Sequence, residues 1–338
     1  MQVWIRRFAL LLLPLGFLAV MVAAPLLSLA FYDGEGAWAE VVADDYMRLR
    51  LGWTVAQAVL TCVLVTALGV PAAWVLARMD FAGRRMVLRL LMLPFVMPTL
   101  VAGMGVLALF GAHGILASGW QNTPWLLIYG NVFFNLPVLV RSAYQGFVRV
   151  PQARLLSAQS LGADAWRRFV WVEWPVVRAW VAGGACLVFL YCFSGFGLAL
   201  LLGGERFATV EVEIYRLVAY ELDMARASVL VWLVLAVTAA AGGLYAYWSK
   251  RVAVDKSVSP LPPRAPVRAW EKWLTATVLA MLVLCCLLPL AAVWLKAVSA
   301  GSSWAVLLEA QTWAAVWNTV RFSAAAVAAA TVLGVLYA

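Results

Sequence analysis

Eight long apolar runs constrain what this sequence can fold into more than any other feature. A helix needs about 20 predominantly apolar residues to cross the hydrocarbon core of a bilayer. Only 12% of the residues are charged, whereas about a quarter are charged in soluble domains. The sequence therefore predicts an all-α polytopic membrane protein. Its predicted transmembrane helices cover residues 8–30, 53–77, 87–110, 124–147, 176–202, 227–248, 273–298 and 314–338.

The charges between these runs predict the orientation in the membrane, because basic residues concentrate on the cytoplasmic side. The basic gaps, which we place in the cytoplasm, cover residues 1–7, 78–86, 148–175 and 249–272. The acid-rich gaps at 31–52 and 203–226 are then external. We therefore expect a cytoplasmic N-terminus. The net charge of +9 reflects this topology and does not indicate nucleic-acid binding.

One cytoplasmic loop, residues 150–178, has the pattern of two short helices that meet at a glycine. Pro151 suits the start of the first helix. Leu155, Ala158 and Gly162 share one of its faces. Gly162 can adopt a positive φ and end that helix.

The second short helix of this loop is predicted at residues 165–174. Asp164 is its expected N-cap. Pro175 is expected to close it where the next apolar run begins.

A proline-rich stretch, SPLPPRAP, divides the sequence into two membrane units, because its prolines cannot continue a membrane helix. We interpret residues 249–272 as a cytoplasmic linker. Residues 1–248 would form the first unit with six spans, and residues 273–338 would begin a second unit with two. Short motifs recur across the linker at an offset of 265 residues (319 − 54): Thr54-Val55 as Thr319-Val320, and Leu68-Gly69-Val70 as Leu333-Gly334-Val335.

At this offset Ala338 corresponds to Ala73, five residues short of the position matching Arg78 (78 − 73). A membrane helix normally ends with a polar or basic flank. We therefore expect the natural protein to continue, with a second copy of the 150–178 loop.

The spacing of the 150–178 loop resembles the EAA loop of ABC-importer permeases. Ser157 and Ala158 take the alanine positions, Gly162 the glycine and Pro175 the proline, whereas the glutamate position holds Leu156. Further stretches sharpen the match: Asn131-Val-Phe-Phe-Asn-Leu-Pro137, Trp171-Val-Glu-Trp-Pro175, Ser194-Gly-Phe-Gly-Leu-Ala-Leu-Leu-Leu-Gly-Gly204, Ala208-Thr-Val-Glu-Val-Glu-Ile-Tyr215 and Tyr220-Glu-Leu-Asp-Met-Ala-Arg-Ala227. Together they resemble the permease subunit of bacterial thiamine ABC importers, which is similar to that of iron(III) importers.

This resemblance implies a type I, MetI-like permease bundle with six spans per half, two fused halves, and a second half that is truncated here. It implies a non-catalytic subunit of the bacterial inner membrane. A periplasmic substrate-binding protein would dock outside, and two copies of a cytoplasmic ATPase subunit would bind ATP and Mg inside. No cofactor or metal is expected on this chain. The residues expected to couple to the ATPase are Leu155, Leu156, Ser157, Ala158, Leu161, Gly162 and Pro175.

The substrate pathway is expected along the fourth and fifth spans. Thiamine is an aromatic cation, so aromatic faces could hold it by cation–π attraction. The same aromatic residues could instead pack neighbouring helices, and two asparagines could bond between helices or line the pore. The candidate residues are Asn131, Asn135, Tyr191, Phe193, Ser194 and Phe196.

Two other classes of protein fit the sequence less well. An ion-coupled secondary transporter usually carries acidic groups within its spans, and every Asp and Glu here lies in or beside a gap. A polytopic membrane enzyme needs clustered carboxylates or histidines, and Asp44-Asp45 is the only adjacent acidic pair. The sequence also contains no G-x-x-x-x-G-K-[ST] nucleotide-binding motif. Co-purification of an ATPase subunit would distinguish an importer permease from both rivals.

Overall fold

The computed structural model describes residues 15–31, 36–117, 119–121, 123–250 and 259–337. In these residues the chain is helical, and pairing between extended segments is limited to two isolated β-bridges. Six helices are long and apolar enough to cross a membrane, or seven if one bent pair counts as a span. The all-α prediction is therefore confirmed for the described residues. Residues 8–14 of the first predicted span lie outside them.

We number the helices in chain order. They are α1 (Leu15–Leu29), α2 (Ala37–Ala43), α3 (Asp45–Arg78), α4 (Arg84–Val96), α5 (Thr99–Phe110), α6 (Pro124–Val148), α7 (Gln152–Ser160), α8 (Ala165–Phe193), α9 (Gly197–Leu202), α10 (Val210–Arg216), α11 (Met224–Lys250), α12 (Ala269–Val298) and α13 (Ala310–Val335).

The core of the bundle is built around α6, which packs between α3 and α8. Small residues let these helices approach closely, as is usual in membrane bundles. A Cβ at Gly69 of α3 would lie 2.9 Å from Leu139 of α6, and one at Gly184 of α8 would lie 3.1 Å from the same side chain. Leu139 is fully buried between the two glycines. A larger residue at either glycine would push the helices apart.

Helix α3 begins eight residues before the predicted start at residue 53 (53 − 45). The Oδ1 atom of Asp44 accepts the N–H of Tyr46 over 2.8 Å, which is an N-cap bond. Of the adjacent acidic pair Asp44-Asp45, the first residue thus caps α3. The first residues of α3, which the prediction left out, bring Tyr46 and Arg50 against the segment of residues 203–223. There Arg50 donates to the carbonyl of Glu205.

The predicted span at residues 87–110 is not one straight helix. It is divided into α4 and α5, which meet at an angle of 104°. Met97 is extended, with φ −69° and ψ 147°, because the residue before a proline is driven out of the helical region. Pro98 also lacks the N–H that would continue the helix.

The predicted span at residues 176–202 is also interrupted. Helix α8 ends at Phe193, and α9 begins only at Gly197. A Cβ at Gly195 would lie 2.6 Å from the Tyr191 carbonyl, so the tight connection requires a glycine there. The predicted span is thus divided at residues 194–196.

Candidate coupling site and substrate pathway

The predicted coupling loop forms a short helix that ends in a glycine turn. Helix α7 begins after Pro151, and Gly162 adopts a φ of +77°, as predicted. The Ala163 N–H donates to the Ala158 carbonyl over 3.0 Å. The Gly162 N–H donates to the Gln159 carbonyl over the same distance. These two bonds are the pattern of a Schellman helix end, which favours glycine at the left-handed position.

The next helix begins as predicted but does not end as predicted. Asp164 caps it, since its Oδ1 accepts the N–H of Arg167 over 2.8 Å. The prediction that Pro175 closes a separate helix is wrong, because α8 continues through Pro175 to Phe193. A π-helical turn precedes the proline, in which the Trp174 N–H donates to the Phe169 carbonyl. Pro175 therefore lies in the first turn of an α-helical segment, where its missing N–H is tolerated.

The predicted coupling residues divide between two faces of the loop. Leu155 is 5% exposed and belongs to the core of the chain itself. Leu155 is thus covered by this chain itself, and its expected contact with an ATPase stays a prediction. Leu161 is 88% exposed and Leu156 is 46% exposed. Of the two small residues at the motif's alanine positions, Ser157 is exposed and Ala158 half-buried.

Two exposed tryptophans add to the apolar surface of the 150–178 loop. Trp166 in the first turn of α8 is 70% exposed, and Trp171 is 77% exposed. With Leu156 and Leu161 they are exposed apolar residues of the 150–178 loop, and we term these four residues the coupling surface. Sequence reasoning missed Trp166 as a candidate coupling residue, although it lies only four residues after Gly162.

A buried ion pair holds the base of the coupling loop. The Arg78 guanidinium donates to Glu173 Oε1 over 2.8 Å and to the Phe147 carbonyl over 3.1 Å. The Trp74 indole N–H donates to Glu173 Oε2 over 2.9 Å. The side chains of Arg78 and Glu173 are only 6% and 5% exposed. The pair thus fastens the ends of α3 and α6 to the segment of α8 that follows the coupling turn.

The two candidate asparagines of α6 are buried and hydrogen-bonded to other parts of the bundle. The Asn131 amide donates to Gln57 Oε1 of α3 over 2.8 Å. The Asn135 amide donates to the Asn131 carbonyl and to the sulfur of Cys192 in α8. This arrangement favours the interhelical-bonding interpretation, because a polar group in lipid must find a partner. Direct contact of either amide with a substrate stays a prediction.

The aromatic candidates at the end of α8 do not share one environment. Phe193 is fully buried and stacks on Phe189, with ring centroids 5.5 Å apart. The Ser194 hydroxyl donates to the Leu190 carbonyl of its own helix. Tyr191 and Phe196, in contrast, are 41% and 37% exposed. Of the three aromatic candidates, only Tyr191 and Phe196 are therefore open to a molecule outside the bundle.

Further aromatic rings, which sequence reasoning missed, extend from Tyr191 and Phe196. Phe95, at the end of α4, lies 5.4 Å from the ring of Tyr191 and 5.5 Å from that of Phe134. Tyr215 of α10 lies 5.4 Å from Phe196. The hydrogen bond with Tyr220 raises the pKa of the Tyr215 phenol above its usual value. Sequence reasoning missed Phe95 because residues 87–110 were predicted to form one unbroken helix.

Comparison with known proteins identifies the family. The sequence model described as "Binding-protein-dependent transport system inner membrane component" matches residues 66–254, which include the coupling loop. The chain belongs to this family. It is therefore a multi-pass inner membrane protein and a non-catalytic membrane component of such a system, as predicted.

Individual relatives support the resemblance to thiamine permeases. The thiamine transport system permease protein ThiP of Salmonella typhimurium is 33% identical over 92% of this chain and 58% of the relative. ThiP of Escherichia coli is 32% identical over 91% of this chain and 60% of the relative. The sulfate transport system permease protein CysW of Synechocystis is 27% identical over 59% of this chain and 76% of the relative. The chain thus spans less than two thirds of the length of the ThiP proteins.

Two solved structures share the fold. One is a bacterial alginate ABC transporter in complex with a periplasmic protein bound to an alginate pentasaccharide. The match has a TM-score of 0.62 and 15% identity, and covers 74% of this chain and 95% of that chain. The other is a bacterial ABC transporter for alginate import, with a TM-score of 0.63, 14% identity, and coverage of 75% and 98%. At this identity the matches establish the fold as that of ABC importer components, and nothing about substrate.

Proposed function

We propose that this chain is the permease subunit of an ATP-driven importer that takes up thiamine or its phosphate esters. The observation that carries the proposal is the short exposed helix α7, which ends at Gly162 and projects at one end of a membrane bundle. A soluble partner can push on such a helix without entering the membrane. The ThiP relatives supply the substrate class.

The coupling surface is proposed to bind a cytoplasmic ATPase subunit, with two copies per transporter. Leu161 and Trp166 offer a large exposed apolar area, and exposed apolar patches typically mark interaction sites. Leu156 is half-exposed where the motif has glutamate, so this contact would be apolar and not ionic. The partner would bind ATP and Mg, and this chain would hold no cofactor. The N-terminus and α7 would then both lie in the cytoplasm.

A periplasmic substrate-binding protein is proposed to deliver the substrate at the end of the bundle opposite α7. Tyr191 and Phe196 are the proposed contacts, because a cation is attracted to an open aromatic face. Asn131, Asn135, Phe193 and Ser194 would support these rings from behind. Phe95 and Tyr215 would enlarge the aromatic surface on either side.

We further propose the fused two-half architecture for the natural protein. Residues 1–248 would form the first half, 249–272 the linker and 273–338 the start of the second half. Packing between the proposed halves supports this arrangement. A Cβ at Gly105 of α5 would lie 2.8 Å from the Pro289 carbonyl of α12.

The proposal is tested by isolating the full transporter and measuring uptake. The chain should co-purify with an ATPase subunit, and labelled thiamine should enter proteoliposomes only with ATP and the binding protein present. Uptake of ferric iron in place of thiamine would correct the substrate alone. Purification without any ATPase would refute the importer function.

Variants of Gly162 test the coupling role specifically. Gly162→Glu should abolish uptake while the chain still inserts. The glutamate adds a charge beside the coupling surface, and its side chain disfavours the positive φ of this position. Nothing lies within 4 Å of a Cβ at Gly162, so the bundle itself has room for the change. Gly162→Asn is the matched control, since Asn tolerates the left-handed conformation. Normal uptake by the Glu variant would exclude this role.

A further inference from the structure

The described part of the linker pairs with the base of the coupling loop, and its four prolines favour an extended backbone at the residue before each of them. We term residues 259–268 the strap. Its Ser259 carbonyl accepts the N–H of Gln152, the first residue of α7, over 3.2 Å. Pro260 forms an antiparallel bridge with Pro151. The start of the strap is thus paired with the start of the coupling helix.

The middle of the strap is bonded to the end of α3. The Asp80 N–H donates to the Arg264 carbonyl over 2.8 Å, and the Arg264 N–H donates to the Arg78 carbonyl over 3.1 Å. Arg78 is also the cation of the buried ion pair. Leu261, between the two attachments, packs against the main hydrophobic core.

The end of the strap is bonded to the first turn of α12. The Arg264 guanidinium donates to Glu271 over 2.5 and 3.2 Å. The same carboxylate accepts the N–H groups of Val267 and Arg268. Glu271 is only 2% exposed, and its neighbour Trp270 stacks on Trp74 of α3 with ring centroids 6.0 Å apart.

We infer that the strap carries movement of the coupling helix directly to α12. An extended chain reaches at most about 3.3–3.6 Å per residue, so an already extended segment cannot lengthen when one end is pulled. Its prolines stiffen it further, because their φ is fixed. A displacement of Gln152 must therefore move Arg264 together with the ends of α3 and α12 that are bonded to it, or break the hydrogen bonds of the strap. This inference rests on the proposed function, in which α7 is displaced by an ATPase.

A disulfide tests whether the strap and α7 move together. Bridged residues of antiparallel pairs have Cα atoms about 4.5–5.5 Å apart, within the range that a disulfide accepts, about 4.4–6.8 Å. Pro151→Cys with Pro260→Cys should therefore cross-link on oxidation, and each single variant is the control for linkage to native cysteines. We expect the cross-linked transporter to keep its uptake of thiamine. No cross-link, or a cross-link that stops uptake, would overturn the inference.

A slack strap tests whether it transmits force. A Gly-Ser-Gly-Ser insertion after Leu261 adds up to about 13 Å between the two attachments and leaves the bonds of Arg264 to Glu271 in place. Because the slack segment no longer passes displacement of α7 to α12, uptake per ATP hydrolysed should fall. ATPase activity should persist. The same insertion after Ala300, between α12 and α13, is the matched control.

The outcomes separate the strap from the proposed function. If the slack variant transports as well as the Ala300 control, the link is wrong and the importer function stands. If the unmodified transporter neither binds an ATPase nor takes up substrate, both are wrong. Lys272→Ala, which removes an exposed charge beside Glu271 without touching the strap, should leave uptake per ATP unchanged. Arg264→Ala should lower it.

Discussion

The two ends of the bundle are both held by arginine–carboxylate pairs, but in different surroundings. At the coupling end, Arg78 and Glu173 are 6% and 5% exposed. At the opposite end, Arg226 and Glu40 are 41% and 61% exposed and lie 3.4 Å apart. A buried pair that loses one partner leaves an uncompensated charge, whereas an exposed arginine is simply hydrated. The buried pair therefore holds the ends of α3, α6 and α8 in one arrangement, whereas the exposed pair can break at little cost.

This difference in burial fits the proposed roles of the two ends, which are ATPase binding at one end and docking of a binding protein at the other. A helix that receives a mechanical push needs a rigid base, and the Arg78 network supplies one beneath α7. A surface that receives and releases a binding protein needs contacts that form and break easily. The exposed pair of Arg226 and Glu40 has that character.

The largest effect is expected at the coupling end. Glu173→Ala should destabilise the chain by about 3–5 kcal/mol, because Arg78 is left buried without its carboxylate. Thermal unfolding of the detergent-purified protein measures this loss. Replacing both Arg78 and Glu173 by leucine should recover most of the stability. A double variant as unstable as the single one would show that the buried charge is not the cause.

A smaller loss of stability is expected at the opposite end, where the buried Glu213 pairs with the half-exposed Arg216. Glu213 is 2% exposed, while Arg216 is 47% exposed, and the Tyr46 hydroxyl donates to Glu213 over 3.0 Å. Glu213→Ala should cost about 1–3 kcal/mol, mainly by leaving that hydroxyl without an acceptor. Glu213→Gln keeps an acceptor and should lose less. Equal losses by the two variants would contradict this account.

The two N-caps offer a matched comparison of the ends. Asp164 accepts the N–H of Arg167 and Asp44 that of Tyr46, both over 2.8 Å. Replacing either by alanine should cost about 1 kcal/mol of stability. Only Asp164→Ala should also reduce ATP-driven uptake, because only that cap adjoins the coupling surface. Equal uptake by the two variants would remove the functional distinction between the ends.

The smallest effect is expected for the exposed pair. Arg226→Ala should change stability by about 0–1 kcal/mol, as for most surface ion pairs. High salt should abolish any difference in stability between Arg226→Ala and the unmodified chain, since it screens exposed charges. Unfolding measured at low and high salt checks both statements. A loss comparable to that of Glu173→Ala would mean that the two ends are equally rigid.

Local features of the candidate site could be predicted, and distant pairings could not. The positive φ of Gly162 and the cap by Asp164 follow from residue types within a few positions of the turn. Arg78 and Glu173 are 95 residues apart in sequence, and no local pattern joins them. The burial of Leu155 was missed for a similar reason, since a helical face shows which residues align but not which partner covers them.

The sequence by itself determined which segments enter the membrane and where the chain turns between them. The tertiary structure alone decided which apolar surface is covered by protein. The 18-residue apolar windows of α3 and α6 have mean hydropathies of 2.2 and 1.3, yet the less apolar window is the more buried, at 72% against 39%. The physical reason is that lipid tails and packed side chains are similarly apolar. Hydropathy therefore marks a span without saying whether it faces lipid or a neighbouring helix.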